Sequence, residues 1–201
     1  MHRLLATLSE RGYTRKLPSR RHSLGFHILP LAESARALTG PVAERVLLDL
    51  VDETGETANL AGDQADYVAQ APSRHANVHR DRAAGRPPQH GFGKALLSQL
   101  GSPDFDDLLD RRGLPGRTEH TITSRVRLHA ELERIRSAGF AIDEQELEVR
   151  CLAFPIAGLS SGMAVSVSGP VTRMTESLVE PTVPLQQSAA RALAGSLERS
   201  D

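Results

Sequence analysis

VRCLAFPI, Val149 to Ile156, and MAVSVS, Met163 to Ser168, are the two stretches that decide the fold. In an extended chain successive side chains point to opposite faces, so Leu152, Phe154 and Ile156 share one face while Cys151 and Ala153 share the other. The second stretch divides in the same way: Met163, Val165 and Val167 oppose Ala164, Ser166 and Ser168. The Gly/Ser turn at Ala157 to Gly162 suits pairing of the two. Such a pair offers one bulky face to packing helices and one face of small or weakly polar groups. The second face leaves room, and its hydroxyls and thiol can orient a small ligand. The plainer alternative is that serine and cysteine sit where a helix packs closely.

Further strands follow from the same alternation at Phe140 to Asp143, Thr57 to Ala61 and Asp66 to Ala71, the last two joined as a hairpin across Gly62-Asp63. Helical spacing predicts Gly91 to Leu100, Asp104 to Arg112 and Ser124 to Ala138, with Leu128, Leu132 and Ile135 on one side and Gly139 closing the helix. Gly169-Pro170 is expected to end the sheet, and a terminal helix is expected over Leu185 to Glu198. Residues 72–90 have no period and read as a loop; loops of that length tend to be functional. Upstream, Leu4, Leu5 and Leu8 mark a helix stopped by Gly12, and Tyr13 to Lys16 and His22 to Leu24 flank a basic turn containing Pro18. A connecting helix over Gly25 to Leu38 carries Phe26, Leu29, Ala32, Ala35 and Leu38 on one stripe. A separate helix over Pro41 to Glu53 starts with proline in its first turn.

The 201 residues are 39% hydrophobic and 24% charged, the composition of a globular protein. No apolar run approaches the ~20 residues that span a bilayer, and the first residues lack a signal-peptide pattern, so a cytoplasmic product with no membrane partner is expected. The single Cys151 excludes an internal disulfide framework. With no Trp, 2 Tyr and 5 Phe, the core is aliphatic and a base-stacking surface for single-stranded nucleic acid is disfavoured. The net charge is -1, yet residues 1–22 hold Arg3, Arg11, Arg15, Lys16, Arg20 and Arg21 against Glu10 alone. A basic arm on an acidic body fits an arm that meets a polyanion.

Catalytic readings find little support. Cys151 has no base or orienting group fixed by the sequence, and a buried, unreactive thiol is the simpler reading. His75, His79 and Asp81 have metal-ligand spacing for a helix, but Pro72 and the missing period argue against a helix there, so neither a metal nor a cofactor is expected. Gly91-Phe92-Gly93 ahead of Lys94 can expose backbone N–H groups to an anion, although the glycines fit neither the Rossmann fingerprint nor a P-loop.

The order of short motifs is more specific than any one of them. His2-Arg-Leu-Leu-Ala-Thr-Leu8, Gly12-Tyr13, Arg21-His-Ser-Leu-Gly25, Glu53-Thr-Gly-Glu-Thr57 with Asn59-Leu60-Ala61, Gly93-Lys-Ala-Leu-Leu97, Thr121-Ile-Thr123, Gly139-Phe140, Arg150-Cys-Leu-Ala153 and Ser166-Val-Ser-Gly-Pro170 run in sequence. This order resembles the IclR family of bacterial transcriptional regulators over essentially the whole chain.

The resemblance implies an α/β protein: a partial winged helix (recognition helix plus wing) over 1–24, a linker helix over 25–40, and a GAF-like effector-binding domain over 41–201 with a mainly antiparallel sheet flanked by helices. It implies a ligand-responsive regulator that is not an enzyme, assembles as a homodimer or homotetramer, and binds double-stranded operator DNA and a small organic effector such as a carboxylate. Matching motifs place Gly91, Phe92, Asp143, Cys151, Ser166 and Ser168 at effector-binding positions. His2, Arg3 and Thr7 would face DNA, and Arg15, Lys16, Arg20 and Arg21 would contact phosphates. By the same resemblance the chain opens inside the recognition helix, from either a misplaced start or a genuine truncation, and DNA binding is expected to be weak and salt-sensitive. The alternative is a stand-alone small-molecule-binding or oligomerisation module without specific DNA binding.

Overall fold

The computed structural model describes residues 2–17, 19, 21–62, 67–75, 91–116, 118, 121–146, 149–159 and 162–198. The chain divides into two compact units, Met1–Gly40 and Pro41–Asp201.

The first unit contains α1 (His2–Glu10), β1 (Thr14–Lys16) and β2 (His22–Leu24), followed by a single 3-10 turn at Phe26–Ile28. The two strands pair antiparallel with Arg15 opposite Ser23. Their root is close: a Cβ on Gly25 would lie 2.0 Å from the Gly12 carbonyl oxygen, so only glycine fits there. His27 Nδ1 lies 2.6 Å from the Arg11 carbonyl, and its ring meets Tyr13 edge-on. Leu4, Leu24 and Phe26 are exposed, while Leu5 and Leu8 are half-buried.

The expected pair of helices is one assigned stretch, α2 (Leu29–Thr54), broken at Gly40, whose φ of 67° and ψ of 172° are not helical. Pro41 then opens the second segment at a position where its missing N–H is no loss.

The second unit is built on a five-stranded, wholly antiparallel sheet in the order β4-β3-β7-β6-β5. These strands are β3 (Thr57–Ala61), β4 (Tyr67–Ala71), β5 (Ala141–Glu146), β6 (Val149–Ile156) and β7 (Met163–Pro170); the helices are α3 (Gly91–Leu97), α4 (Ser102–Arg112), α5 (Arg125–Ala138) and α6 (Glu176–Leu197). Cross-strand rows run Ile142, Leu152, Val167, Ala58, Ala71 and then Phe154, Val165, Leu60, Ala69. They form one core with Leu47, Leu50 and Val51 of α2 and Val179, Ala189, Ala190 and Leu193 of α6. The opposite face, with Ala61, Ala141, Ala153 and Ala164, lies in a second core with Phe92, Leu96, Phe105, Leu109, Leu128, Leu132 and Ile135 of α3, α4 and α5. The alternation read from β6 and β7 therefore holds. Small residues on the second face bring helices close, and branched ones on the first fill a wider gap.

Several boundaries differ from the sequence expectation, four of them with structural consequences. β7 continues through Gly169 and Pro170, opposite Arg150 and Val149, because proline is tolerated where a strand ends. α6 begins at Glu176 rather than Leu185, with Pro181 and Pro184 inside it. Each proline removes one helical donor, but burial of Val179 and Thr182 holds the early turns in place. β5 runs from Ala141 to Glu146, past Asp143 through a bulge. α3 stops at Leu97. Ser124 Oγ accepts the Arg127 N–H to start α5, and Gly139 ends it in the left-handed region at φ 81°. No described helix is long and apolar enough to cross a membrane. The expected loop from 76 to 90, with His79 and Asp81, lies outside the described residues, as does Asp66.

Candidate functional site

The polar residues of the second sheet face fall into two adjacent rows. One runs Asp143, Cys151, Ser168, Thr57 across β5, β6, β7 and β3; the other runs Ala141, Ala153, Ser166, Asn59, Gln70 and reaches β4. Four of the six expected effector-binding residues thus lie in neighbouring rows. The other two, Gly91 and Phe92, begin α3 above them.

The contact between α3 and the sheet is close. A Cβ on Gly91 would come within 3.0 Å of Cys151 Sγ and 3.2 Å of Asp143 Cβ, so a side chain at this helix start would have to push both aside by a few tenths of an ångström. The Gly91 N–H donates to Asp143 Oδ2 at 3.0 Å. Lys94, one turn on and fully buried, donates to Asp143 Oδ1 at 3.3 Å and to the Ile142 carbonyl at 3.2 Å. Glu131 of α5 lies 4.0 Å from the same ammonium. A hydrogen bond from Arg134, with the Lys94 charge adding to it, holds the Glu131 carboxyl below the usual carboxylate range. The buried cation is thereby paired on two sides, as burial of a lysine requires. The anion at Gly91 is the protein's own Asp143.

Beyond this ion cluster the face presents uncharged groups. Thr57 Oγ1 accepts the Ser73 N–H, and Gln70 Nε2 donates to Asn59 Oδ1 at 2.6 Å. Ser166 is completely buried and its hydroxyl has no hydrogen-bond partner among the described residues. An orphaned buried hydroxyl costs about 1–3 kcal/mol, and a ligand atom or water in front of it would recover that. Cys151 and Ser168 are half-buried, and Phe92 is buried.

The sequence reading missed Lys94, Glu131, Asn59 and Gln70. Two signals were present. Thr57-Ala-Asn-Leu-Ala61 alternates as β6 and β7 do, placing Asn59 on the face of Ser166, and Lys94 is one of only two lysines in the chain.

The candidate DNA-contacting residues all belong to the first unit. Arg3 and Thr7 are exposed on α1, and Arg15, Lys16 and Arg21 are exposed at the hairpin. Arg15 Nε donates to Ser23 Oγ at 2.9 Å and its guanidinium lies 6.0 Å from the Phe26 ring. Arg20 and the His2 side chain lie outside the described residues. No group of three potential metal ligands occurs among the described residues.

Comparison with known proteins adds an independent line. Residues 37–194 match a family model described as "Bacterial transcriptional regulator IclR C-terminal". The chain is 34% identical to the transcriptional repressor IclR of Escherichia coli K12 over 193 residues, covering 89% of this chain and 70% of the repressor. It superposes on the IclR transcriptional regulator of Alicyclobacillus acidocaldarius with a TM-score of 0.81 at 24% identity, covering 98% of this chain and 84% of that one. An IclR homologue from Microbacterium hydrocarbonoxydans, crystallised with 4-hydroxybenzoate, gives a TM-score of 0.73 at 22% identity over 98% of this chain and 85% of the homologue.

Proposed function

The chain belongs to the IclR family of bacterial transcriptional regulators, and from that premise we propose that it binds a small organic effector on the α3-covered face of its sheet and operator DNA through its first unit. The observation that carries the effector reading is the orphaned, fully buried hydroxyl of Ser166, in the row next to that of Cys151 and Ser168 on the sheet face that Gly91 of α3 meets at Cys151. A face built only to pack against α3 would have alanine there, as it does at Ala153 and Ala164.

In the first unit α1 presents Arg3 and Thr7 for base edges, and the hairpin presents Arg15, Lys16 and Arg21 for phosphates, with His2 and Arg20 beside them in sequence. The exposed Phe26, Leu29 and Leu31 give the linker an apolar surface that a second copy would cover, consistent with a homodimer or homotetramer. The two activities are linked when an effector favours one arrangement of the DNA-binding elements over another.

Thermal-shift measurement with 4-hydroxybenzoate and small hydroxy and aromatic carboxylates tests the effector site. At least one compound should raise Tm, and replacing Ser166 and Ser168 together by leucine should abolish the rise in a protein that still unfolds cooperatively. A shift that survives the double replacement removes the site from this face. Gel shifts with the upstream DNA at low and physiological salt test the other half: binding should fall steeply with salt. No binding at low salt would leave a small-molecule or oligomerisation module.

A further inference from the structure

Of the 24 basic residues in the chain only Lys16 and Lys94 are lysines. A guanidinium stays protonated and is no nucleophile at ordinary pH, so these two are the side-chain amines that an acyl donor can modify. Their surroundings are opposite. Lys94 is fully buried and shared between Asp143 and Glu131. Lys16 is exposed at the end of β1, at the mouth of the turn that the Leu17 N–H closes on the Arg21 carbonyl at 2.7 Å. Its registered neighbour across the hairpin is the exposed His22, and residues directly opposed in this way share one face with Cβ atoms about 5 Å apart. Arg21, next to His22, is exposed as well. Arg15 alternates to the other face, where its Nε donates to Ser23 Oγ.

We infer that Lys16 is an acylation site that takes its acyl group from an acyl phosphate, and that the modification weakens DNA binding by the first unit. The second half rests on the DNA-binding reading above and adds a control to it. An anionic acyl phosphate is drawn to the cationic turn at Lys16 and Arg21. The ammonium gives up one proton to the His22 imidazole beside it, and the freed lone pair attacks the acyl carbon. The N–C bond forms and the C–O bond to phosphorus-bound oxygen breaks. Phosphate leaves with that bonding pair and takes up the second proton. The product is a neutral amide, so the hairpin loses one positive charge where a DNA phosphate would sit.

Acetyl phosphate is the probe, and the uncharged N-hydroxysuccinimide ester of acetic acid is the control donor. After treatment of the full chain, peptide mapping by mass spectrometry should find acetyl on Lys16 and none on Lys94. Reaction with acetyl phosphate, unlike reaction with the ester, should slow as salt rises. His22→Phe should slow the acetyl phosphate reaction several-fold. In gel shifts with the upstream DNA, the acetylated protein should bind about fivefold more weakly at physiological salt, with a salt slope shallower by about 1. Lys16→Arg offers no amine, so its DNA binding, at whatever level, should not change on the same treatment. Lys16 left unmodified, or Lys94 modified as fast, overturns the site. Equal salt response with the two donors overturns the attraction of the anion, and a rate indifferent to His22→Phe removes the histidine from the reaction. Unchanged DNA binding by acetylated protein, or an equal loss in treated Lys16→Arg, overturns the control of DNA binding. An untreated chain that fails to bind DNA at low salt overturns the DNA-binding reading and that control together, while the mass measurement still decides the acylation site.

Discussion

The Glu56 carboxylate stands where Gly169 would carry a side chain: Oε2 is 2.5 Å and Cδ 2.6 Å from the position of a Cβ there. Glu56 is almost fully buried and is held by Arg173, whose Nε and Nη2 donate to its two oxygens at 2.5 and 2.9 Å. The pair ties the start of β3 to the turn between β7 and α6. Gly169→Ala should push the carboxylate from its guanidinium and destabilise by about 2–4 kcal/mol in denaturant unfolding. Gly139→Ala, in the left-handed region at φ 81° with open space around it, should cost only about 1 kcal/mol of backbone strain. Equal losses at the two positions would show that Glu56 moves aside without penalty.

Lys94→Met removes the cation and leaves Asp143 with the Gly91 N–H as its remaining bond. A loss of about 3 kcal/mol is expected, the usual result of stranding one member of a buried pair. Combined with Asp143→Asn, the loss should be smaller than the sum of the two single losses by about 1 kcal/mol or more. Additive losses would place the stability of this region in packing rather than in the ion pair.

The lowered folded-state pKa of Glu131 sets a sign for the pH dependence of stability. Because the unfolded carboxyl takes up its proton at higher pH than the folded one, this stabilisation is complete above the ordinary carboxylate pKa of about 4.5 and is lost as pH falls through the lowered value. Glu131→Gln should therefore be less stable than wild type near neutral pH, with the difference shrinking in acid. A difference that grows below pH 4 would contradict the assignment.

Gln186 is completely buried in α6, and neither its amide oxygen nor its nitrogen has a hydrogen-bond partner among the described residues. Leucine has similar bulk and no polar atoms to satisfy. Gln186→Leu should raise stability by about 1–2 kcal/mol in denaturant unfolding, with the m-value unchanged. A loss of stability would mean that the amide is satisfied by an ordered water.

Local patterns alone determined a good part of this protein. Alternation at Val149 to Ile156 and Met163 to Ser168 separated the two faces of the sheet correctly, because the period of a strand is a property of the backbone and does not depend on its surroundings. Helical spacing and the closing Gly139 likewise placed α5, whose start the structure caps with Ser124. The early turns of α6 were not legible, because Pro181 and Pro184 oppose a helix locally and only burial against the sheet outweighs them. The full extent of β7 was hidden likewise, since Gly169-Pro170 reads as a stop until Arg150 and Val149 are seen opposite it.

The composition of the site depended still more on tertiary structure. Spacing placed Cys151, Ser166 and Ser168 on one face, but it could not tell that Lys94 of α3 would pair with Asp143 of β5, or that Gln70 would donate to the amide oxygen of Asn59. Those partners are separated by 49 and 11 residues, and a long-range hydrogen bond leaves no periodic trace in a sequence. Strand order decides which side chains become neighbours. A side chain's free donors are known only when every other partner within reach has been assigned.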